Sequence, residues 1–95
     1  MMYLTLFLSQ PILSVVPQYA KWGQIAVQET IKKYDASVVD YLHIGRTQIS
    51  ENIIEEKFKL WLRKRNLEEF GVYITIRFDS KTEQIITITF VETSY

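Results

Sequence analysis

The sequence predicts an α+β domain in which one N-terminal helix packs on a four-stranded antiparallel meander sheet. Residues 19–34 repeat apolar side chains at the 3.6-residue period of a helix. Residues 38–91 alternate apolar and polar side chains, as strands with one buried face do. The links between the alternating segments are short and polar, which favours antiparallel neighbours because parallel strands need long crossovers.

The predicted helix covers Pro17–Tyr34. Proline suits its first turn because the missing N–H has no partner within the helix there. Trp22 and Ile31 flank a stripe of apolar and small side chains, which are Tyr19, Gly23, Ala26, Val27, Thr30 and Tyr34. We expect this stripe to lie against the sheet. Asp35 is expected to end the helix.

Four strands are predicted at Ser37–Thr47, Ile53–Arg63, Gly71–Phe78 and Gln84–Glu92. The last three share an apolar register that predicts the core, made of Phe58, Leu60, Leu62, Val72, Ile74, Ile76, Phe78, Ile86, Ile88 and Phe90. The first strand is ambiguous. Val38, Leu42 and Ile44 suit the core, but their register also holds Asp40 and Arg46, which we expect near the rim of the sheet.

Residues 1–16 differ from the rest of the chain, and no charged residue precedes Lys21. The apolar stretch Met1–Leu8 resembles the hydrophobic region of a secretory signal, which is about 7–15 residues long. Residues 1–16 are therefore predicted to be a signal-like segment, truncated because it lacks a basic leader, ahead of a single domain at 17–95. Two alternatives stay open, namely an extra strand at Met2–Ser9 and a disordered tail.

Composition narrows the classes of function. The 11 basic and 11 acidic residues cancel, which argues against a nucleic-acid partner. The chain has no cysteine and one histidine, His43. Asp40 and His43 are three residues apart on a strand and therefore point to opposite faces, unless a bulge intervenes. Glu55 and Glu56 diverge in the same way and predict a solvated rim. We therefore expect no enzyme, no metal site and no cofactor.

The polar register of the second strand carries the candidate site. Two interpretations compete for it: an ordinary solvent face, with basic stems lying over aromatic rings, and a platform on which Trp61 and a tyrosine stack a sugar while cations hold an anion. Tyr41 and His43 join this face if the first strand keeps the assumed register. The candidate binding residues are Lys57, Lys59, Trp61, Arg63, Tyr73 and Arg77.

The fourth predicted strand holds no charge from Gln84 to Val91. In a simple meander it is an edge, and an uncharged β-branched edge invites pairing with another strand. Three arrangements would satisfy it: a homodimer through residues 84–92, a partner that adds a strand, or cover from Met2–Ser9. A different strand order, with this strand internal, is the fourth alternative.

Several segments, taken in order, resemble the YqzG/YhdC-like family of small exported Bacillus-type proteins of unknown function. These segments are Tyr19–Gly23, Val39–Arg46, Phe58–Leu62, Phe70–Val72 and Ile76–Thr82. The resemblance implies a bacterial protein that is secreted or held in the cell envelope, and it supplies no catalytic residue. The predicted outline is also similar to PepSY-type and cystatin-like modules, at the level of fold alone.

The sequence thus predicts a non-enzymatic, exported interaction module. It would bind a cell-envelope or extracellular partner, either a protein or an anionic cell-wall polymer, through the open sheet face or the edge strand. The alternative is a protease-inhibitory or propeptide-like module that works by β-augmentation. No stable membrane span is expected, because Pro11 and Pro17 interrupt the apolar N-terminal region.

Overall fold

The computed structural model describes residues 17–95, in which one helix precedes four strands. The elements are α1 (Ala20–Tyr34), β1 (Ser37–Gln48), β2 (Ile53–Arg63), β3 (Glu69–Asp79) and β4 (Ile85–Thr93). The strands form one antiparallel sheet in the order β1-β2-β3-β4, which confirms the predicted helix-on-meander fold. The signal-like segment at 1–16 and the strand considered at Met2–Ser9 lie outside the described residues.

Helix α1 begins later than predicted and ends as predicted. Pro17 belongs to a preceding turn, where its carbonyl accepts the Ala20 N–H at 3.0 Å. Asp35 ends the helix in the left-handed conformation (φ 50°, ψ 52°), which short polar side chains tolerate, and its N–H donates to the Ile31 carbonyl. Trp22, expected beside the buried stripe, lies in the core with its ring 3.8 Å from that of Phe78.

One side of the sheet, here called the covered face, packs against α1. Its core comprises Trp22, Ala26, Phe58, Leu60, Leu62, Val72, Ile74, Ile76 and Phe78. Gly23 lets the helix approach β1 closely, because a Cβ there would overlap the hydroxyl of Tyr41. The opposite side of the sheet is called the open face.

Two β-bulges in β1 overturn the predicted register of that strand. The pairing skips Val39 between the pairs Val38↔Leu62 and Asp40↔Trp61, and skips again at Ile44. Each bulge moves the alternation by one residue. Tyr41 and His43 therefore lie on the covered face, opposite Leu60 and Phe58, and not on the open face as predicted.

The same shift removes two predicted core residues. Leu42 pairs with Lys59 on the open face and is 58% exposed, while Ile44 is also exposed. Val38 keeps its predicted place against the core. Asp40 and His43 stay on opposite faces, because no bulge falls between them, so they form no dyad.

Glu56 is the second correction, because it is fully buried and not part of a solvated rim. Its carboxylate is hydrogen-bonded to His43 Nε2 at 2.7 Å and accepts Arg46 Nε at 2.5 Å. The His43 ring in turn stacks on Tyr19, with centroids 3.8 Å apart. A buried carboxylate is tolerated only when it is paired, and here both oxygens have partners from β1.

Among residues 17–95 strand β4 is an edge, so the alternative strand order that places β4 between other strands of the meander is wrong. Ile88 and Phe90 pack against the core as predicted, but Ile86 is 51% exposed because the pairing with β3 shifts between Thr87 and Ile85. The contact of α1 with this strand runs through Tyr34, whose ring lies 6.3 Å from that of Phe90. The covered face of β4 is therefore only partly covered.

Substitution of each of the two adjacent glutamates of β2 tests whether the buried carboxylate stabilises the fold. We expect Glu56→Ala to lower the free energy of unfolding by about 3 kcal/mol, because it leaves Arg46 and His43 without their shared acceptor. Glu55→Ala is the matched control. It removes only the partly exposed Arg77 contact and should cost less than about 1 kcal/mol. Urea denaturation followed by circular dichroism measures both, and equal losses would contradict a special role for Glu56.

Candidate functional site

All six predicted site residues lie on the open face, where β2 and β3 bring them together. Register pairs set their neighbours: Lys57 lies opposite Thr75, Lys59 opposite Tyr73, and Arg63 opposite Glu69. Strand β2 alternates between this face and the buried Phe58, Leu60 and Leu62, so its polar register is held in place by the core. The predicted clustering is thus present in the structure for Lys57, Lys59, Trp61, Arg63, Tyr73 and Arg77.

Trp61 lies over a glycine of the neighbouring strand. A Cβ added to Gly71 would come within 3.1 Å of the indole and 2.8 Å of the Thr93 methyl group, so only glycine leaves room for the ring. The indole Nε1 donates to Glu69 Oε1 at 2.6 Å. The ring is therefore held at one edge and half-buried, with part of its surface open to solvent.

The cations of the open face fall into two classes. Arg63 and Arg77 are paired with carboxylates, Arg63 with Glu69 at 2.7 Å and Arg77 with Glu55 at 2.9 Å. Lys57 and Lys59 have no carboxylate partner among residues 17–95. The cations available to an anionic ligand are therefore the two lysines at the centre of the face.

Lys59 lies near two aromatic rings. Its Nζ is 5.5 Å from the ring centroid of Tyr73 and 6.0 Å from that of Trp61. Such cation–π contacts are weak at exposed sites, about 0.5–1 kcal/mol, and they leave the ammonium donors available. Lys59 is thus positioned by the rings without being neutralised.

Two shallow depressions lie at this face. One, of about 210 Å³, is lined by Asp40, Tyr41, Leu42, Lys59 and Trp61. The other, of about 420 Å³, is lined by Glu55, Lys57, Thr75, Arg77, Thr87 and Thr89. Sequence reasoning missed the threonines, because it placed the fourth strand beside the third but did not extend the candidate site to the polar register of the fourth strand.

Metal-ligand clusters and pairs of histidine with a carboxylate are the other features of residues 17–95 that bear on chemistry. No three His, Cys, Asp or Glu side chains within residues 17–95 cluster so as to hold a metal ion. His43 and Glu56 form a hydrogen-bonded pair that sequence reasoning missed, but it lies on the covered face with the carboxylate fully buried. The signal for it was the presence of Glu56 in the apolar register of β2. No helix in this part of the chain is both long and apolar enough to cross a membrane.

Comparisons with known proteins place this domain in a family. The model of a family described as a protein of unknown function, DUF3889, matches residues 3–92. The chain belongs to this family. It is 30% identical over 73 residues to the uncharacterized protein YqzG of Bacillus subtilis (strain 168), a match that covers 77% of this chain and 67% of that protein. This confirms the resemblance to a YqzG-like family, and no solved structure matches significantly.

The contact between Trp61 and Glu69 should be visible in an acid titration. The hydrogen bond from Trp61 and the Arg63 guanidinium hold the pKa of the Glu69 carboxyl below its ordinary value of 4.5. Because this pKa is lower in the folded chain, the contact stabilises the fold above the unfolded pKa and is lost as pH falls through the folded one. The Trp61 indole N–H resonance should therefore titrate with a midpoint below 4.5.

Two controls accompany this titration. Glu69→Gln should abolish the transition at Trp61, because the amide does not ionise. The buried Trp22 indole should not follow it. A midpoint at or above the ordinary value for glutamate would show that the hydrogen bond does not hold Glu69 in solution.

Proposed function

We propose that this protein is a non-enzymatic, exported module that binds an anionic polymer of the bacterial cell envelope through the open face. One observation carries the proposal. Lys57 and Lys59 lie side by side on β2 without a carboxylate partner among residues 17–95, while the arginines flanking them are neutralised.

The surroundings of the two lysines favour a polymer that carries both sugars and anions. Trp61 and Tyr73 offer partly exposed rings on which a sugar can stack. Thr75 and Thr89 place hydroxyl groups beside Lys57, and hydroxyls can donate to phosphate or carboxylate oxygens. A phosphodiester polymer of the cell wall has this combination of groups.

The affinity for the polymer would come from its many repeated anionic groups. An exposed ion pair contributes at most about 1 kcal/mol. A polymer that presents many anions offers repeated encounters with the same face, which raises the effective concentration without requiring a deep pocket. Such binding weakens as salt screens the charges, so retention on the polymer should fall with ionic strength.

The expectation of export favours this choice of partner. That expectation rests on the signal-like character of residues 1–16 and on the resemblance to exported proteins. Nucleic acid would also suit basic residues among aromatics, but the chain carries no net charge. Protease inhibition by strand addition to β4 stays a prediction from the sequence.

Retention on insoluble Bacillus subtilis cell wall tests the proposal. Trp61→Ala and Lys59→Glu should each release the protein from the wall, since one removes the stacking ring and the other reverses a central charge. Lys32→Glu is the matched control, because it makes the same change of charge on the exposed side of α1. It should be retained like the wild type.

The wall itself supplies the second arm of the experiment. Wall from which the phosphodiester-linked polymers have been stripped should no longer retain the wild type. Circular dichroism confirms that each variant is folded. Undiminished retention of Lys59→Glu and Trp61→Ala would exclude the open face, and equal retention on stripped wall would exclude an anionic polymer.

A further inference from the structure

The outer edge of β4 has the features of a surface that pairs with another strand. The strand ends the sheet, and its outer row of peptide groups has no partner among residues 17–95. From Gln84 to Val91 it carries no charge. Ile86 is 51% exposed and Val91 60% exposed. Natural edge strands are usually protected by charges, prolines or bulges along their length. In β4 the pairing with β3 shifts at Ile86, near the start of the strand, and Thr87–Val91 has no charge, proline or register shift.

The opposite edge of the sheet is protected. Strand β1 contains Asp40 and Arg46 and is deformed by bulges at Val39 and Ile44. Both features oppose the addition of another strand. Pairing of β4 with β1 of another copy would build an open-ended filament, whereas pairing of β4 with itself closes after two copies. The protected β1 therefore leaves self-pairing of β4 as the arrangement the sheet permits.

We propose that two copies of this chain pair antiparallel through β4, about a two-fold axis at Ile88, to form a continuous eight-stranded sheet. In this register Ile88 faces its own copy and Thr87 faces Thr89 of the second copy. Ile86, where the pairing with β3 shifts, lies nearest Phe90 of the second copy. Apolar side chains thus meet apolar ones and hydroxyls meet hydroxyls. No charge opposes another, because residues 84–91 are uncharged in both copies.

The dimer would also cover apolar side chains of β4 that α1 leaves exposed. Helix α1 packs on the inner strands and reaches β4 through Tyr34 and Phe90, which leaves Ile86 exposed. Residues that face each other across antiparallel strands point to the same side of the sheet. The side chains of Ile86 and Ile88 would therefore be covered between the two helices, by the apolar side chains of the second copy.

The two-fold axis stands perpendicular to the sheet, so both open faces lie on the same side of the dimer. If the open face binds a polymer, as proposed above, one polymer chain can contact both faces at once. Dimerisation itself needs no polymer. Its test is therefore separate from the test of polymer binding.

Sedimentation equilibrium of the full chain, without polymer, is the first test. We expect a mass of two chains that falls toward one on dilution. A monomer at every concentration would overturn the proposal. It would leave the edge to another occupant, such as residues 1–16 or a strand of a different protein.

Charge variants on exposed positions test the register. Thr87→Lys combined with Thr89→Lys places like charges opposite each other twice and should give a monomer. Thr87→Glu combined with Thr89→Lys places opposite charges in the same positions and should restore the dimer. Circular dichroism checks that both double variants are folded. Equal behaviour of the two double variants would exclude this register.

Single cysteines provide an independent measure, because the chain has none of its own. A disulfide needs Cα atoms within about 7 Å. Under mild oxidation Ile88→Cys should form a covalent dimer in high yield. Thr87→Cys and Thr89→Cys should not, since each lies one residue from the axis and is therefore separated by two residues from its copy. A maximum at Thr89→Cys, or equal yields at the three positions, would overturn the proposed axis.

Discussion

The buried carboxylate of Glu56 is the constraint on which the arrangement of this domain depends. A charge with no exposure must be paired, and both partners, His43 and Arg46, come from β1. The two side chains are three residues apart and share the covered face because a bulge at Ile44 lies between them. The His43 ring in turn stacks on Tyr19, the residue that precedes α1. One ion-paired group thus ties the edge strand, its neighbour and the helix together.

The open face of the sheet carries no comparable buried cluster among residues 17–95. Its arginines are neutralised by glutamates, but Lys57 and Lys59 are not paired among residues 17–95. Gly71 has no side chain, and this leaves room for the Trp61 ring on the same face as the two lysines. The two faces therefore differ in kind. The covered face pairs the carboxylate that it buries, and the open face carries two lysines without a carboxylate partner among residues 17–95 beside two partly exposed aromatic rings.

The sequence predicts the fold well where alternation is regular. Strand β2 was predicted with its true bounds, and the order of the meander followed from short polar links. The register of β1 was predicted wrongly, because a bulge adds a residue and the apolar pattern does not show where it lies. Tyr41 and His43 were therefore assigned to the wrong face. The burial of Glu56 was missed for a different reason. Strand geometry correctly placed it on the opposite face from Glu55, but its pairing depends on which residues of β1 lie opposite it. The six site residues on the regular strands β2 and β3 were placed correctly.

The two tryptophans give a direct test of the division between the faces, because Trp22 is buried under the helix and Trp61 lies on the open face. The measurement is a titration of the isotope-labelled protein with soluble phosphodiester polymer released from the cell wall, followed through the two indole N–H resonances. We expect the Trp61 resonance to shift or broaden with added polymer while that of Trp22 stays in place. A Trp61 resonance that does not respond, or a Trp22 resonance that responds equally, would contradict polymer binding by the open face.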